Sequence, residues 1–294
     1  MSDGTQYQAQ ANTKPPGPKT GHVVEGCLGA PLEDCGGKLS GDHYISRALL
    51  KWLNEAGDSF GMPGATLIAR GIPGLAPGEQ RSMPPSALTV KAFCQRHNSA
   101  LSPIDDEALR FFMSLAEITT QLQAPQTSRV HDSRPFNGHD LERWFLKALC
   151  GMSAFRPSHL FSDLPVSVDL EREWIEMLFG VSLFTDRRGL YCPGTLGRIT
   201  YGGLGFSLDP LRKGVSLAGL RTEFQGLAFN LFLRPVFGPD QSALDDIQLF
   251  RPAALHFSNG VAERALMLCW DLPGDGSSIH IRVHPPEIRR AVDA

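Results

Sequence analysis

Residues 88–98 read Leu-Thr-Val-Lys-Ala-Phe-Cys-Gln-Arg-His-Asn and contain the pair Cys94 and His97. Thiolate and imidazole are the usual ligands of structural zinc, and a Cys-x-x-His spacing lets both side chains reach one metal from a tight turn. Cys27 and Cys35 form a second, more widely spaced pair. Two ligand pairs brought together from distant segments can staple a small loop-rich unit, so these four residues predict a zinc site. The alternative is buried thiols and a surface histidine without a metal.

An acidic residue and a histidine lie between the two ligand pairs, where Asp42-His43 follows the glycine-rich run 36–41. Neighbouring side chains point to opposite sides of an extended strand, so one can hold a metal while the other faces substrate. A neutral imidazole such as His43 can activate water near pH 7. The Asp42 carboxylate and the amide oxygen of Asn98 are hard ligands, which suit a magnesium or manganese ion whose waters are replaced by phosphate oxygens.

The two halves of this pattern resemble the HNH family of ββα-metal endonucleases. Residues 38–46, reading Lys-Leu-Ser-Gly-Asp-His-Tyr-Ile-Ser, look like the strand that opens the motif, and residues 88–98 look like the second strand running into a zinc knuckle. The resemblance implies that Asp42 is a metal ligand and His43 the general base. It implies that Asn98 is the second ligand of a catalytic magnesium or manganese ion, as in the Asp-His-Asn variants of CRISPR nucleases and homing endonucleases.

The sequence also departs from the HNH pattern. The middle motif position, an asparagine that braces the loop in many members, falls on Thr89, whose hydroxyl braces a loop less completely. The second Cys-x-x-Cys of the family is Cys-x-x-His here, and the interval 44–87 between the motif halves is long. The resemblance covers about residues 21–123 and implies nothing for the remaining chain.

Charge and composition limit the functional classes. The net charge of −3 does not suggest nucleic-acid binding, which normally shows a basic footprint. A local basic cluster near the site offsets this argument, although an ordinary solvated surface explains the same charges equally well. The cluster comprises Arg47, Lys51, Arg70, Arg81, Lys91 and Arg96. Six irregularly spaced cysteines, a polar N-terminus and the lack of a long apolar run favour a cytoplasmic protein without a signal peptide or membrane span.

Local composition divides the 294 residues into four segments. Residues 1–20 have almost no apolar side chains and predict a disordered tail. Residues 21–123 form the predicted HNH-like domain, 124–138 a polar linker, and 139–294 a second domain. The predicted fold class is α+β, a zinc-stapled ββα-metal unit followed by an α+β domain with a mainly antiparallel sheet.

Periodicity and turn residues place the individual elements. Helices are predicted at 46–56, 103–121, 141–152 and 170–178, the second capped by Ser102. Strands are predicted at 65–69, 197–208, 217–233, 254–257, 264–270 and 279–284, with a turn at 209–214. In the second domain, His256, His280 and His284 stand in strands without a paired ligand motif, which favours structural or surface roles over metal binding.

Two hypotheses for the function follow. The first is an HNH-like endonuclease that hydrolyses DNA phosphodiester bonds with structural zinc and catalytic magnesium or manganese, in phage defence or mobile-element biology. The second is a non-catalytic zinc-knuckle adaptor that binds nucleic acid or protein. In both, residues 139–294 carry no catalytic signature and are expected to select a target or a protein partner. The sequence does not define the oligomeric state.

Overall fold

The computed structural model describes residues 13–59, 67–70, 79–83, 89–124, 131–154, 170–193, 198–199, 206–213, 216–234, 248–272 and 274–283. Within these ranges the fold is α+β, as predicted. Most of the predicted disordered tail, His284, and the side chains of Asp42, Arg70 and Arg81 lie outside the described part. No helix in the described ranges has the length and apolar character needed to cross a bilayer.

The secondary-structure elements alternate along the chain. The helices are α1 (Arg47–Ser59), α2 (Gln95–Ala100), α3 (Ser102–Gln123), α4 (Gly138–Ala154) and α5 (Arg172–Leu178), preceded by a 3-10 turn at Ala30–Leu32. The strands are β1 (Leu39–His43), β2 (Leu67–Arg70), β3 (Gln80–Met83), β4 (Thr89–Cys94), β5 (His131–Asn137), β6 (Gly189–Pro193), β7 (Arg198–Ile199), β8 (Phe206–Lys213), β9 (Ser216–Phe224), β10 (Leu227–Phe232), β11 (Gln248–Phe250), β12 (Ala254–Ser258), β13 (Glu263–Cys269) and β14 (Ser278–Val283).

Strands β1 and β4 form a small antiparallel pair that carries the candidate site. Leu39 lies opposite Cys94 at one end of the pair, and His43 lies opposite Thr89 at the other end. The register is irregular between Ser40 and Asp42. Helices α2 and α3 follow β4 directly, and α2 packs against both strands. The β1–β4 pair is thus followed by helices, although α1, β2 and β3 lie between its two strands in the chain. The ββα-metal unit stays a prediction.

Two larger sheets make up the rest of the structure. One has the strand order β11-β6-β10-β9-β8-β2-β3 and is antiparallel except where β2 runs parallel to β8. The other has the order β5-β13-β12-β14-β7, in which the β12–β13 pair is antiparallel and the remaining pairs are parallel. Helix α3 packs on the five-stranded sheet and against α4, which packs on the seven-stranded sheet.

The core between these layers is rich in aromatic rings. Phe112 on α3 lies at its centre, with its ring centroid 5.3 Å from Trp144, 5.4 Å from Phe206 and 5.1 Å from Phe224. Edge-to-face contacts of Phe112 on α3 and of Trp144 on α4 with Phe206 join both helices to the seven-stranded sheet. The main buried cluster of the described residues extends from Leu32 to Val283, so it crosses the predicted domain boundary. The division into two domains stays a prediction.

Several predicted element boundaries need correction. The predicted linker contains β5, which pairs in parallel with β13. Helix α3 includes Ser102, and its N-cap is Leu101 without a side-chain hydrogen bond. Residues 209–213 of the turn expected at 209–214 are instead part of β8, which continues through Pro210. Pro210 has no amide proton and cannot donate a ladder hydrogen bond. In the described residues β2 pairs with β8 only at Ser207 and Leu208, so no hydrogen bond between β2 and β8 is lost at Pro210.

Glu142 and His139 on α4 belong to a buried network of polar and charged side chains that the sequence did not reveal. Glu142 Oε1 accepts hydrogen bonds from the Leu190 amide and from Arg251 Nε, both at 2.8 Å, and Arg251 Nη2 donates to Oε2 at 3.1 Å. His139 Nδ1 lies 3.0 Å from the same Oε2, and its Nε2 accepts from the Asp271 amide at 3.1 Å. Because Nε2 accepts, Nδ1 carries the proton and donates to Glu142. The network fixes α4 to β6 and to the residues that follow β11 and β13.

We expect Glu142→Ala to lower the free energy of unfolding by about 3–5 kcal/mol, because Arg251 would remain buried without its counter-charge. The matched control is Glu55→Ala, which removes an exposed i,i+4 pair with Lys51 and should cost less than about 1 kcal/mol. Chemical denaturation of both variants measures the difference. Equal losses of stability would show that the buried network contributes no more than a surface pair.

Candidate metal centre

The loop before β1 folds over the end of the β1–β4 pair and brings the two ligand pairs together. The Leu28 amide donates to Ala92 O at 2.8 Å, and the Arg96 amide donates to Gly36 O at 3.1 Å. Gly37 adopts a φ of +71°, a left-handed conformation that glycine adopts without strain. These backbone bonds join the loop to β4 and α2, so the segment with the first two cysteines lies against the segment with Cys94 and His97.

The four predicted zinc ligands are all buried and close together. Their ligand atoms all lie within 4.8 Å of one another. His97 Nδ1 is 3.5 Å from Cys27 Sγ, 3.8 Å from Cys35 Sγ and 3.3 Å from Cys94 Sγ. Zinc bonds of about 2.3 Å to sulfur and about 2.0 Å to nitrogen at tetrahedral angles require a sulfur–nitrogen separation of about 3.6 Å. The Cys3His set therefore fits a structural metal such as zinc.

Burial and hydrogen bonding set the protonation of the four side chains. Burial raises the pKa of Cys27 to about 12 and also raises the pKa of Cys35, because a thiolate is poorly solvated there. Burial acts in the same direction on Cys94, but hydrogen bonds, chiefly from the Gly36 and His97 backbone, outweigh it and lower the pKa of Cys94. Burial lowers the pKa of His97, so its imidazole is neutral and suited to a ligand role. Metal binding must displace the remaining thiol protons.

Backbone amides also contact the sulfur atoms. The Cys94 amide donates to Cys27 Sγ at 3.2 Å, and the Gly36 amide donates to Cys94 Sγ at 3.4 Å. Hydrogen bonds of this kind stabilise the negative charge of metal-bound thiolates and orient them. An ion pair of 3.0 Å between Arg96 and Asp34 fixes the outer side of the loop. Arg96, a member of the predicted basic cluster, is thus paired with an acid.

The position of the His97 ring depends on two residues outside the ligand motif. Its ring centroid lies 4.8 Å from that of Phe179, the C-cap residue of α5. Gly29 also approaches the ring, so closely that an added Cβ would lie 2.5 Å from Nδ1. The glycine between the first two cysteines is a sequence signal for this close approach. No local signal marked Phe179, because it reaches the site only through the tertiary fold.

We expect Gly29→Ala to weaken zinc binding at least about tenfold, because the new methyl group would displace the ligand nitrogen of His97. Gly41→Ala is the matched control, since its Cβ would meet Thr89 Cγ2 at an ordinary 3.4 Å. Competition with a zinc chelator measures both affinities. If both variants retain zinc as well as wild type does, His97 is not held as the structure shows.

The predicted catalytic residues lie at different places around β1 and β4. His43 Nε2 and Thr89 Oγ1 are 3.1 Å apart, so the residue at the middle motif position contacts the histidine. Asp42 pairs with Val90 through the backbone ladder, and its side chain lies outside the described residues. Asn98 is half-buried in α2. The expected convergence of Asp42 and Asn98 on one ion stays a prediction.

The chain was compared with protein-family models, curated proteins and solved structures, and none of them matches. The likeness to HNH endonucleases therefore rests on the motif residues alone. What the structure shows is the class of centre: a buried Cys3His cluster that could hold a structural metal in an α+β protein.

Proposed function

We propose that the protein is a metal-dependent, HNH-like endonuclease that hydrolyses DNA phosphodiester bonds and uses zinc as a structural staple. The observation that carries the proposal is the 3.1 Å contact between His43 and Thr89 in the strand–strand–helix unit that also holds the Cys3His cluster. Thr89 occupies the position where the resemblance places a bracing asparagine, and its hydroxyl touches the imidazole assigned as the base. A brace and a base in contact support a catalytic reading of this unit.

The proposed roles follow from the chemistry of each side chain. His43 takes a proton from water, and the resulting hydroxide attacks phosphorus in line with the leaving oxygen. Thr89 fixes the orientation of the imidazole through its hydroxyl. Asp42 and Asn98 would hold magnesium or manganese, which supplies stabilisation of the charge that develops on the phosphate. The Cys3His cluster holds β4 and α2 against the preceding loop, so its contribution is to the shape of the site.

The β1–β4 register sets a requirement for this mechanism. Five residue steps along β4 separate Thr89 from Cys94, which corresponds to about 17 Å along a strand. Helix α2 begins after Cys94, so Asn98 has to return along β1 to meet an ion at Asp42. The packing of α2 on β1 is compatible with that path.

The DNA-binding surface is proposed to lie around the exposed side of β4 and the start of α1. Lys91 is exposed two residues after Thr89, and alternation along a strand places both side chains on the same face. Arg47 is exposed at the first residue of α1. These local positive charges address the objection raised by the overall net charge of −3. We further propose a reducing cytoplasmic setting, in phage defence or mobile-element biology, with residues 139–294 selecting the target or a protein partner.

The test is cleavage of supercoiled plasmid by zinc-loaded protein with added magnesium, with added manganese, with neither ion, and with a chelator. We expect nicked or linear products only when one of the two ions is present. Zinc content is measured before and after each reaction, so that loss of activity in chelator can be separated from loss of the staple. If DNA, RNA and single-stranded substrates all remain intact with both ions, the endonuclease proposal fails.

A zinc-knuckle adaptor is the second candidate, and the acidic net charge together with the threonine at the asparagine position favours it. This function needs the Cys3His staple but no ion between Asp42 and Asn98. It is distinguished by stable binding of nucleic acid or protein without cleavage in either added ion. Retention of that binding by an Asp42→Ala variant would support the adaptor.

A further inference from the structure

Two histidines meet on the five-stranded sheet, far from the cysteines in sequence. His256 on β12 and His280 on β14 are direct neighbours in the parallel register of these strands. Their rings are stacked, with centroids 4.9 Å apart and an interplanar angle of 9°. No local pattern indicates this pairing, because parallel register between strands 24 residues apart is a property of the fold.

The surroundings of the pair leave the imidazoles open to a ligand from solvent. His280 is exposed and His256 is half-buried. The strand faces alternate, so Ile279 and Ile281 are buried on the opposite side of β14 and hold the backbone in place. The two rings therefore project from a rigid sheet. Core packing does not fix their side-chain torsions, so the rings can rotate. Sites built on strands hold their ligands more precisely than sites built on loops.

An acidic side chain lies next to this pair. Glu263 on β13 is opposite Ser258 and diagonal to His256, and its carboxylate raises the pKa of His256 electrostatically although burial and His280 lower it overall. Glu263 also forms a 3.4 Å contact with His131 Nδ1 on β5. The carboxylate thus lies on the same face as the two imidazoles and is exposed, so it can turn toward them.

We propose that His256 and His280 form a second metal site, which binds a divalent transition metal of the nickel, copper or zinc type with Glu263 as an additional ligand. Two imidazole nitrogens on one such ion are about 3 Å apart, so the two rings have to rotate about their side-chain torsions out of the stacked arrangement to direct one nitrogen each at the ion. Among the described residues only the Cys3His set already has three or more ligand atoms within 4.8 Å. The histidine site therefore binds its metal more weakly than the cysteine centre does. Its metal ion exchanges with ions in solution and keeps water at its remaining coordination positions.

The experiment uses untagged, full-length protein that already carries one zinc, titrated with Ni²⁺ by calorimetry while zinc release is recorded. We expect one additional saturable Ni²⁺ per chain without release of zinc. His256→Ala and His280→Ala should each weaken Ni²⁺ binding at least about tenfold, because either change converts a chelate into a single imidazole. The double variant should bind little more weakly than either single variant, since the two residues act on the same ion.

Controls separate this site from unspecific binding. Glu263→Gln should weaken Ni²⁺ binding a few-fold, and His22→Ala, an exposed histidine outside the five-stranded sheet, should leave it within about twofold of wild type. Circular dichroism checks folding, and His280→Gln replaces any variant that unfolds. Absence of saturable Ni²⁺ binding, equal binding by wild type and His280→Ala, or nickel uptake matched by zinc release would each overturn the proposal.

Discussion

A Cys94→Ser variant should be purified with far less than one zinc per chain and should unfold at a much lower temperature than wild type. Cys94 is fully buried, lies 3.3 Å from the ligand nitrogen of His97, and is the last residue of β4. Structural zinc contributes about 10–16 kcal/mol of binding free energy in small zinc domains. A whole protein is stable by only about 5–15 kcal/mol, so losing even part of this contribution is a large change.

Cys269→Ser is the control for this prediction, because Cys269 is a half-buried thiol on β13 outside the cluster. We expect it to keep one zinc per chain and to unfold close to wild type. Elemental analysis gives the zinc content, and thermal unfolding with and without chelator gives the stability. Wild-type protein that is fully folded and free of zinc, or equal zinc in the two variants, would contradict a structural zinc centre.

The ligand set was accessible from the sequence, whereas its supports were not. Cysteine and histidine at short spacing have few other reasons to recur in pairs, so Cys27, Cys35, Cys94 and His97 were predicted as a set, and the structure brings them together. The ring contact of Phe179 with His97 joins residues distant in sequence, and only the packing of α5 creates it. Spacing along the chain indicates metal ligands that share a turn. It does not indicate a residue that contacts the site from another helix or strand.

The helices were predicted better than the strand pairing for a related reason. A helix is held by bonds between residues four apart, so the apolar periodicity of α3 and α4 indicates both helices directly. The sheets depend on partners chosen from the whole chain. Nothing local in 131–137 indicates that these polar residues form β5 beside β13, because the parallel partner is more than a hundred residues away. For the same reason the buried Glu142 network and the stacked histidines appear only in three dimensions.

A His43→Ala variant should lose at least about a hundredfold of the DNA cleavage rate while keeping its fold, zinc content and DNA affinity, because the imidazole is proposed to act on the attacking water alone. Plasmid cleavage measures the rate, and fluorescence anisotropy with labelled DNA measures affinity in the absence of turnover. His131→Ala removes an exposed histidine from β5 and is the matched control, with an expected rate equal to wild type.

The other motif residues should respond differently from His43, and the difference tests their assigned roles. Asp42→Ala and Asn98→Ala should shift the magnesium or manganese dependence to higher concentration, because each removes a proposed ligand of the ion. Thr89→Asn should preserve or raise activity, since asparagine is the residue that the HNH resemblance expects beside the base. If wild type cleaves DNA and His43→Ala cleaves it equally fast, His43 is not the base. If His43→Ala abolishes cleavage but Asp42→Ala and Asn98→Ala do not affect it, His43 remains assigned as the base. The ligands of the catalytic metal are then other residues of the chain.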